Sequence, residues 1–364
     1  MRILILTSLL AVAFQTPFTG VVETAVEHGR QLTGQVTLTI DGTPVGKRFV
    51  IRKPDAWNGS LVIGAHGGSA GNAVDRSGRV YATSETALDD VIGQYALAQG
   101  FAYASVDRDS AISPRGGLQL TYEFADVATQ EVARVAGRAP ARTYLVGLSM
   151  GGGIARLAAE DPAKRFAGTL IIAGAGGDLV TRLDRLKKMN GLWPLIDPLA
   201  HVGMSAGDPK MISYAAAVGT PVEARRLWPY TGSGAAAAIK QAQAATEEIT
   251  GELQVPTIEI VGTWDDLVIR EIRAYRLRAQ PADRHRLYEV NRVWHMSGDD
   301  DGVMGFQYAA ETRMRINKDV ADAMGEGPSY IPTVREAFDH LVRWVEKGAS
   351  PPASQAIEPG AKLR

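Results

Sequence analysis

No cysteine occurs anywhere in the 364 residues. That absence excludes disulfides, thiolate metal sites and a cysteine nucleophile. It leaves the compartment open, since exported bacterial enzymes also fold without disulfides. An excess of one charge is lacking too: 39 basic against 40 acidic residues leave a formal net charge of −1. Such a balance carries no electrostatic footprint for nucleic acid, and no long basic run suggests a membrane surface. Histidine is scarce, at six residues, which narrows the search for a general base. Beyond the N-terminus no stretch is long and apolar enough to be a permanent membrane anchor. No internal repeat is visible. What is present, 45% hydrophobic and 22% charged residues, suffices to bury the core of one large domain carrying an insertion.

The N-terminus carries a positive charge at Arg2 and then about a dozen apolar residues, Ile3 to Phe14, before Pro17. This is the pattern of a secretory signal peptide, expected over residues 1–20, and it predicts a secreted or periplasmic protein. Further on, Gln35 to Ile40 alternates polar and β-branched residues, Asp41-Gly42 makes a turn, and Lys47 to Arg52 follows as a second strand. Two such runs across a glycine turn predict an antiparallel hairpin. Strands are then expected at 61–65, 101–106, 143–146, 169–173, 257–261 and 286–290, with helical patterns at 88–98, 118–135, 153–160 and 338–347. Alternation of strand and helix predicts an α/β fold with a mostly parallel sheet, covered by helices on both faces. From Asp178 to Gly251 strand-like runs vanish and alanine-rich helical patterns appear, so a helical cap inserted between strands is expected.

The strongest chemical signal is Gly147-Leu148-Ser149-Met150-Gly151, directly after a strand and directly before a helix. A serine hydroxyl is a weak nucleophile and must be held exposed beside a base. A tight strand-to-helix turn does this, and it needs small residues two positions either side so that strand and helix can approach. The helix N-terminus also points backbone N–H groups at a developing oxyanion.

In this arrangement the chain order is serine, acid, histidine. His28 and His66 precede the serine; His201, His285 and His340 fall in the cap, a charged run and the last helix. His295 follows a strand in the turn-rich Val293-Trp294-His295-Met296-Ser297-Gly298, where it can reach the serine. The acid belongs to Gly262-Thr263-Trp264-Asp265-Asp266-Leu267-Val268, about 30 residues upstream. Asp265 is favoured over its neighbour Asp266 as the carboxylate that turns inward to the imidazole.

These three segments resemble the α/β-hydrolase superfamily over roughly residues 35–348. Gly147–Gly152 is similar to its nucleophile elbow, Gly262–Val268 to its G-x-x-D-x-x-V acid turn with the aspartate on Asp265, and His295 to its histidine loop. His66-Gly67-Gly68 resembles its oxyanion loop, which implies backbone donors at Gly68 and at Met150, each worth roughly 3 kcal/mol to a tetrahedral intermediate. The C-terminal FDHLVRWVEKGASPPAS resembles secreted tannase- and feruloyl-esterase-like enzymes. That family's paired cysteines, however, are replaced here by Leu148 and Met296. These readings together divide the chain into a leader (1–20), a first core part (30–177), the cap (178–251), a second core part (252–350) and a loose tail (351–364).

The expected activity is cleavage of a small-molecule or oligomeric carboxylic ester through an acyl-enzyme, without cofactor. Trp264, Trp294 and Trp228 are candidate pocket residues. Asp299-Asp300-Asp301 reads as a solvated turn, because three aspartates in a row do not supply the six to eight oxygens calcium takes, and no metal is expected. Two alternatives remain open: C–C bond hydrolysis with the same triad, and a non-catalytic binding protein on the same fold.

Overall fold

Three antiparallel strands lead the chain in the computed structural model, which describes residues 17–67, 73–74, 80–108, 114–176, 249–265, 268–293, 295 and 328–364. Strand β1 (Phe18–Val26) pairs with β2 (Gly29–Ile40), and β2 with β3 (Thr43–Pro54). The β2–β3 turn is Asp41-Gly42, with φ of 49° and 77°. Positive φ at both central residues is what a two-residue hairpin requires. The expected hairpin is thus present, with one further strand before it. Because β1 begins at Phe18 and Phe18 pairs with Val36, residues 18–20 belong to the sheet as well as to the expected leader span.

The remaining strands of the main sheet are parallel. After β4 (Ser60–Ala65) comes a small separate antiparallel pair, β5 (Ala73–Val74) and β6 (Val80–Ala82). Then follow β7 (Ala102–Val106), β8 (Arg142–Leu148), β9 (Gly168–Ile172), β10 (Thr257–Gly262), β11 (His285–Val290) and β12 (Gln355–Ile357). The order across the sheet is β1-β2-β3-β7-β4-β8-β9-β10-β11-β12. The chain therefore crosses over from β4 to β7, from β7 to β8 and from β8 to β9, by way of α1 (Gln94–Ala98), α2 (Pro114–Ala136) and α3 (Met150–Glu160) respectively. Two more follow, α4 (Ile269–Arg278) and α5 (Ile331–Lys347).

The period-two alternation of the strands sorts their side chains into two cores. Val50, Val62, Tyr144, Val146, Ile258 and Ile260 face α5, where Val334, Ala337, Phe338 and Leu341 are buried. Phe49, Ile51, Leu61, Ile63, Leu145 and Ile171 face the other way, onto Phe124 and Ala128 of α2 and Ala155 of α3. Each fully buried large apolar side chain contributes about 1.5–3 kcal/mol. Helices on both faces are what a parallel sheet needs, since neither face can be left to water.

Residues 351–364 are not the loose tail the sequence suggests. Gln355–Ile357 adds β12 to the sheet edge, Tyr288↔Gln355 to Val290↔Ile357, and Ile357 and Leu363 are buried. The Tyr288 hydroxyl donates to the Pro352 carbonyl at 2.9 Å. A three-residue strand behind two prolines shows no periodicity, so the sequence does not mark it; strand pairing, the buried Ile357 and Leu363 and the Tyr288 bond hold it in place. The apolar run 3–14, Trp193, His201, Trp228 and Asp299–Asp301 lie outside the described residues, as does the expected cap apart from Ile249–Gly251.

The two chain ends that flank residues 177–248 are fastened to the core. Glu271 accepts the Gly176 N–H at 2.8 Å, and the Arg156 guanidinium donates to the Gly176 carbonyl. On the return side Glu160 accepts the N–H groups of Thr250 and Gly251 at 2.7 and 2.9 Å. A Cβ at Gly176 would lie 3.2 Å from the Ile249 side chain, so the two ends touch.

Candidate active site

Every candidate catalytic residue the structure describes sits at the C-terminal end of a parallel strand, the edge where open α/β sheets bind ligands. Ser149 links β8 to α3 and has φ 54° and ψ −117°. A positive φ in a residue with a Cβ costs on the order of 1–3 kcal/mol and persists only where the surroundings enforce it. They do so here. The Ser149 N–H donates to the Ile172 carbonyl of β9 at 2.9 Å, and its own carbonyl accepts from Gly152 and Ala175. A Cβ at Gly151 would fall 1.9 Å from the Ala65 carbonyl oxygen, and one at Gly147 would fall 2.2 Å from that of Gly151. The small residues predicted by the motif are therefore a packing requirement of strand, elbow and helix.

Ser149 Oγ lies 2.9 Å from His295 Nε2, and His295 Nδ1 lies 2.7 Å from Asp265 Oδ2. All three side chains are buried or nearly so, Asp265 at 1% and His295 at 9% exposure. With the carboxylate accepting the Nδ1 proton, Nε2 is the acceptor and the serine hydroxyl donates to it. Asp265 is set by the turn that ends β10: its N–H donates to Gly262 O at 3.0 Å, and its Oδ1 accepts the Val268 N–H at 3.3 Å. The Asp265 carboxylate turns inward to the imidazole; its neighbour Asp266 lies outside the described residues. The backbone that carries the imidazole is held as well. Tyr330, buried at the start of α5, donates its hydroxyl to the His295 carbonyl at 3.1 Å.

Beside the serine runs the loop leaving β4. A Cβ at Gly67 would be 3.1 Å from that of Ser149, so this backbone forms one wall of the site. The loop is clamped by Arg108, which follows β7. The Arg108 N–H donates to His66 Nε2 at 3.0 Å, and its Nη2 donates to the carbonyls of His66 and Gly67 at 2.7 and 2.6 Å. With Nε2 accepting, the His66 Nδ1–H donates to Gly67 O at 2.9 Å. Burial and the Arg108 charge push the His66 imidazolium down to about 3, so His66 is neutral and orders the loop.

Of the other sequence candidates, Met150 is the first residue of α3, where helix geometry leaves the amide without an intrahelical acceptor. Trp264 is 47% exposed and donates its backbone N–H to Val293 O at 3.1 Å. Gly68, Trp294 and Trp228 lie outside the described residues. Sequence reasoning missed Arg108 and Tyr330. Arg108 sits among charges in Asp107-Arg108-Asp109, which reads as a solvated turn, and only the pairing of β4 with β7 brings it to the loop. Among the described residues no group of histidine and acidic side chains is placed to hold a metal ion, and no helix is long and apolar enough to cross a membrane.

A family model described as an alpha/beta hydrolase domain matches residues 93–362. The chain belongs to that family. No curated protein matches it. Among solved structures it is similar to the rice cell wall degrading esterase LipA from Xanthomonas oryzae, at 12% identity and a TM-score of 0.52, covering 81% of this chain and 91% of that one. It is also similar to an esterase from Aspergillus oryzae, at 12% identity and a TM-score of 0.55, covering 89% of this chain and 81% of that one. At that identity the likeness is one of fold. It agrees with the mostly parallel sheet, the leading antiparallel strands and the helices that flank them.

Proposed function

We propose that this hydrolase-family protein is an exported serine esterase that cleaves carboxylic esters through Ser149, His295 and Asp265. The observation that carries the reading is the unbroken line of two hydrogen bonds, 2.9 and 2.7 Å, from a strained serine through an imidazole to a buried carboxylate. Support of a weaker kind comes from the two similar structures, both of them esterases.

In this reading Ser149 Oγ attacks the ester carbonyl carbon while its proton passes to His295 Nε2. The carbonyl electron pair moves onto oxygen, and the Met150 and Gly68 N–H groups receive that charge. Collapse breaks the bond to the alcohol oxygen, which leaves with the proton held by His295. Water then gives a proton to His295 and attacks the acyl-enzyme. The second collapse frees the acid and returns the proton to Ser149. Asp265 stays ionised throughout, holding the Nδ1 proton and stabilising the imidazolium. Trp264, Trp294 and Trp228 are proposed to contact the substrate, a small or oligomeric ester.

Export is part of the proposal and rests on the Arg2–Phe14 pattern. The Pro17 carbonyl already accepts the Thr37 N–H at 2.9 Å, so cleavage is expected before Pro17, which N-terminal sequencing of exported protein would read.

The deciding experiment is hydrolysis of a chain-length series of p-nitrophenyl esters by the mature protein and by Ser149→Ala. Turnover that vanishes in the variant supports the reading, and the length preference sizes the acyl pocket. A folded wild type that turns over no ester overturns it.

A further inference from the structure

Arg108 reaches the wall of the site from a neighbouring strand. Strands β4 and β7 pair in parallel with Gly64 opposite Ser105, so the residues that follow them, His66-Gly67 and Asp107-Arg108, leave the sheet side by side. The Arg108 side chain is 3% exposed. One of its nitrogens, Nη2, serves two successive carbonyls, and its backbone N–H fixes the imidazole between them. Two consecutive peptide units beside Ser149 are therefore set by a single side chain.

Three physical consequences follow from that contact. Each peptide plane is rigid, so fixing a carbonyl fixes the direction of its whole unit. A guanidinium is always charged, so these are charge-assisted bonds, about twice as strong as neutral ones. Hydrogen bonds in series also polarise one another, so a peptide whose oxygen is bound to a cation becomes a better N–H donor. A cation bound to these two carbonyls thus strengthens the N–H groups of the same two peptide units, those of Gly67 and Gly68, the latter a donor in the esterase reading.

We infer that Arg108 is a positioning residue that orients and polarises the His66-Gly67 loop for the oxyanion of the reaction. The inference rests on the esterase reading above. It acts on the tetrahedral state alone, because the ground-state carbonyl carries little charge for the loop to meet.

The test uses Arg108→Met, which keeps an apolar stem, and Arg108→Lys, which keeps the charge. Both are compared with wild type and Ser149→Ala on a p-nitrophenyl ester and on phenylboronic acid, whose boron bonds to a serine oxygen as a tetrahedral adduct. In Arg108→Met we expect KM within about threefold, kcat lower by on the order of 100-fold, and a boronate inhibition constant raised in the same proportion. Arg108→Lys should lie between. A merely structural role would alter thermal stability without a parallel change in kcat and boronate affinity. Boronate affinity and kcat at wild-type levels, or a change in KM alone, overturn the inference while the esterase reading stands. A wild type without Ser149-dependent turnover overturns both. Should Arg108→Met fail to fold, Arg108→Lys carries the same comparison.

Discussion

A Cβ at Gly262 would stand 2.0 Å from the carbonyl oxygen of Val293, so the strand that carries the acid and the segment that carries the histidine meet through bare backbone. The contact is framed by two hydrogen bonds, Trp264 N–H to Val293 O and Arg292 N–H to Thr263 Oγ1. Asp265 and His295 are thereby set relative to one another before their side chains touch. Gly262→Ala forces the two apart. It is expected to cost about 1–3 kcal/mol of stability and to lower kcat by tenfold or more, since small misplacements near the chemistry are expensive. Urea unfolding alongside ester turnover measures both. Wild-type turnover in a folded variant would show that the pairing does not depend on this contact.

The two adjacent aspartates are expected to separate in function. Asp265→Asn leaves the imidazole without its acceptor and favours the wrong tautomer, which is expected to lower kcat by roughly 10³–10⁴-fold. Asp266→Asn is expected to leave kcat within a few-fold. Reversal of that order would move the acid role to Asp266.

Buried His66 sets a dependence of stability on pH. Its folded value is depressed to about 3 from the ordinary 6.5. Between those values the unfolded chain binds the proton and the folded chain does not. The stabilising contribution is therefore full above about pH 6.5 and is lost as pH falls toward 3, at up to about 1.4 kcal/mol per pH unit. His66→Gln removes that proton from the balance. Urea midpoints from pH 7 to pH 4 should fall less steeply in the variant, and equal slopes would refute the assignment.

Arg156 and Glu259 form a fully buried ion pair at 2.7 Å, with His285 Nε2 3.1 Å from the other carboxylate oxygen. Burial alone would raise the Glu259 carboxyl, but the Arg156 charge and the His285 hydrogen bond hold it below its usual value. Arg156→Met strands that carboxylate, and a loss of about 3–5 kcal/mol is expected. The double variant Arg156→Met, Glu259→Met should regain most of it. A double variant no more stable than the single one would argue against the pair as the cause.

The elements of the core could be read from periodicity because their burial follows it: Val62 and Ile63 alternate between the two cores as an extended strand must. Ser149, Asp265 and His295 were legible for a different reason, since the turn that presents each one constrains its neighbours. Single residues delivered by strand register leave no such trace. Arg108 is of this kind, and so is His285, which looks like part of a charged run and is wholly buried against Glu259; Tyr330 escaped notice because a helix start, not a strand, delivers it. β1 was missed because most of its residues are exposed, Val21 and Val22 at 46% and 56%, so no core-facing face marks it.

The fastening of Gly176 by Arg156 and Glu271, and of Thr250 and Gly251 by Glu160, gathers both flanks of residues 177–248 at one place on the core. The exit and the return meet side by side: Glu160, at the far end of α3 from Ser149, holds the return, and Glu271, in the first turn of α4 just after Asp265, holds the exit. The two points where the chain leaves and rejoins the core are thereby tied to the same helices that hold Ser149 and follow Asp265, so the spacing of these two groups is fixed from outside the site as well as from within it.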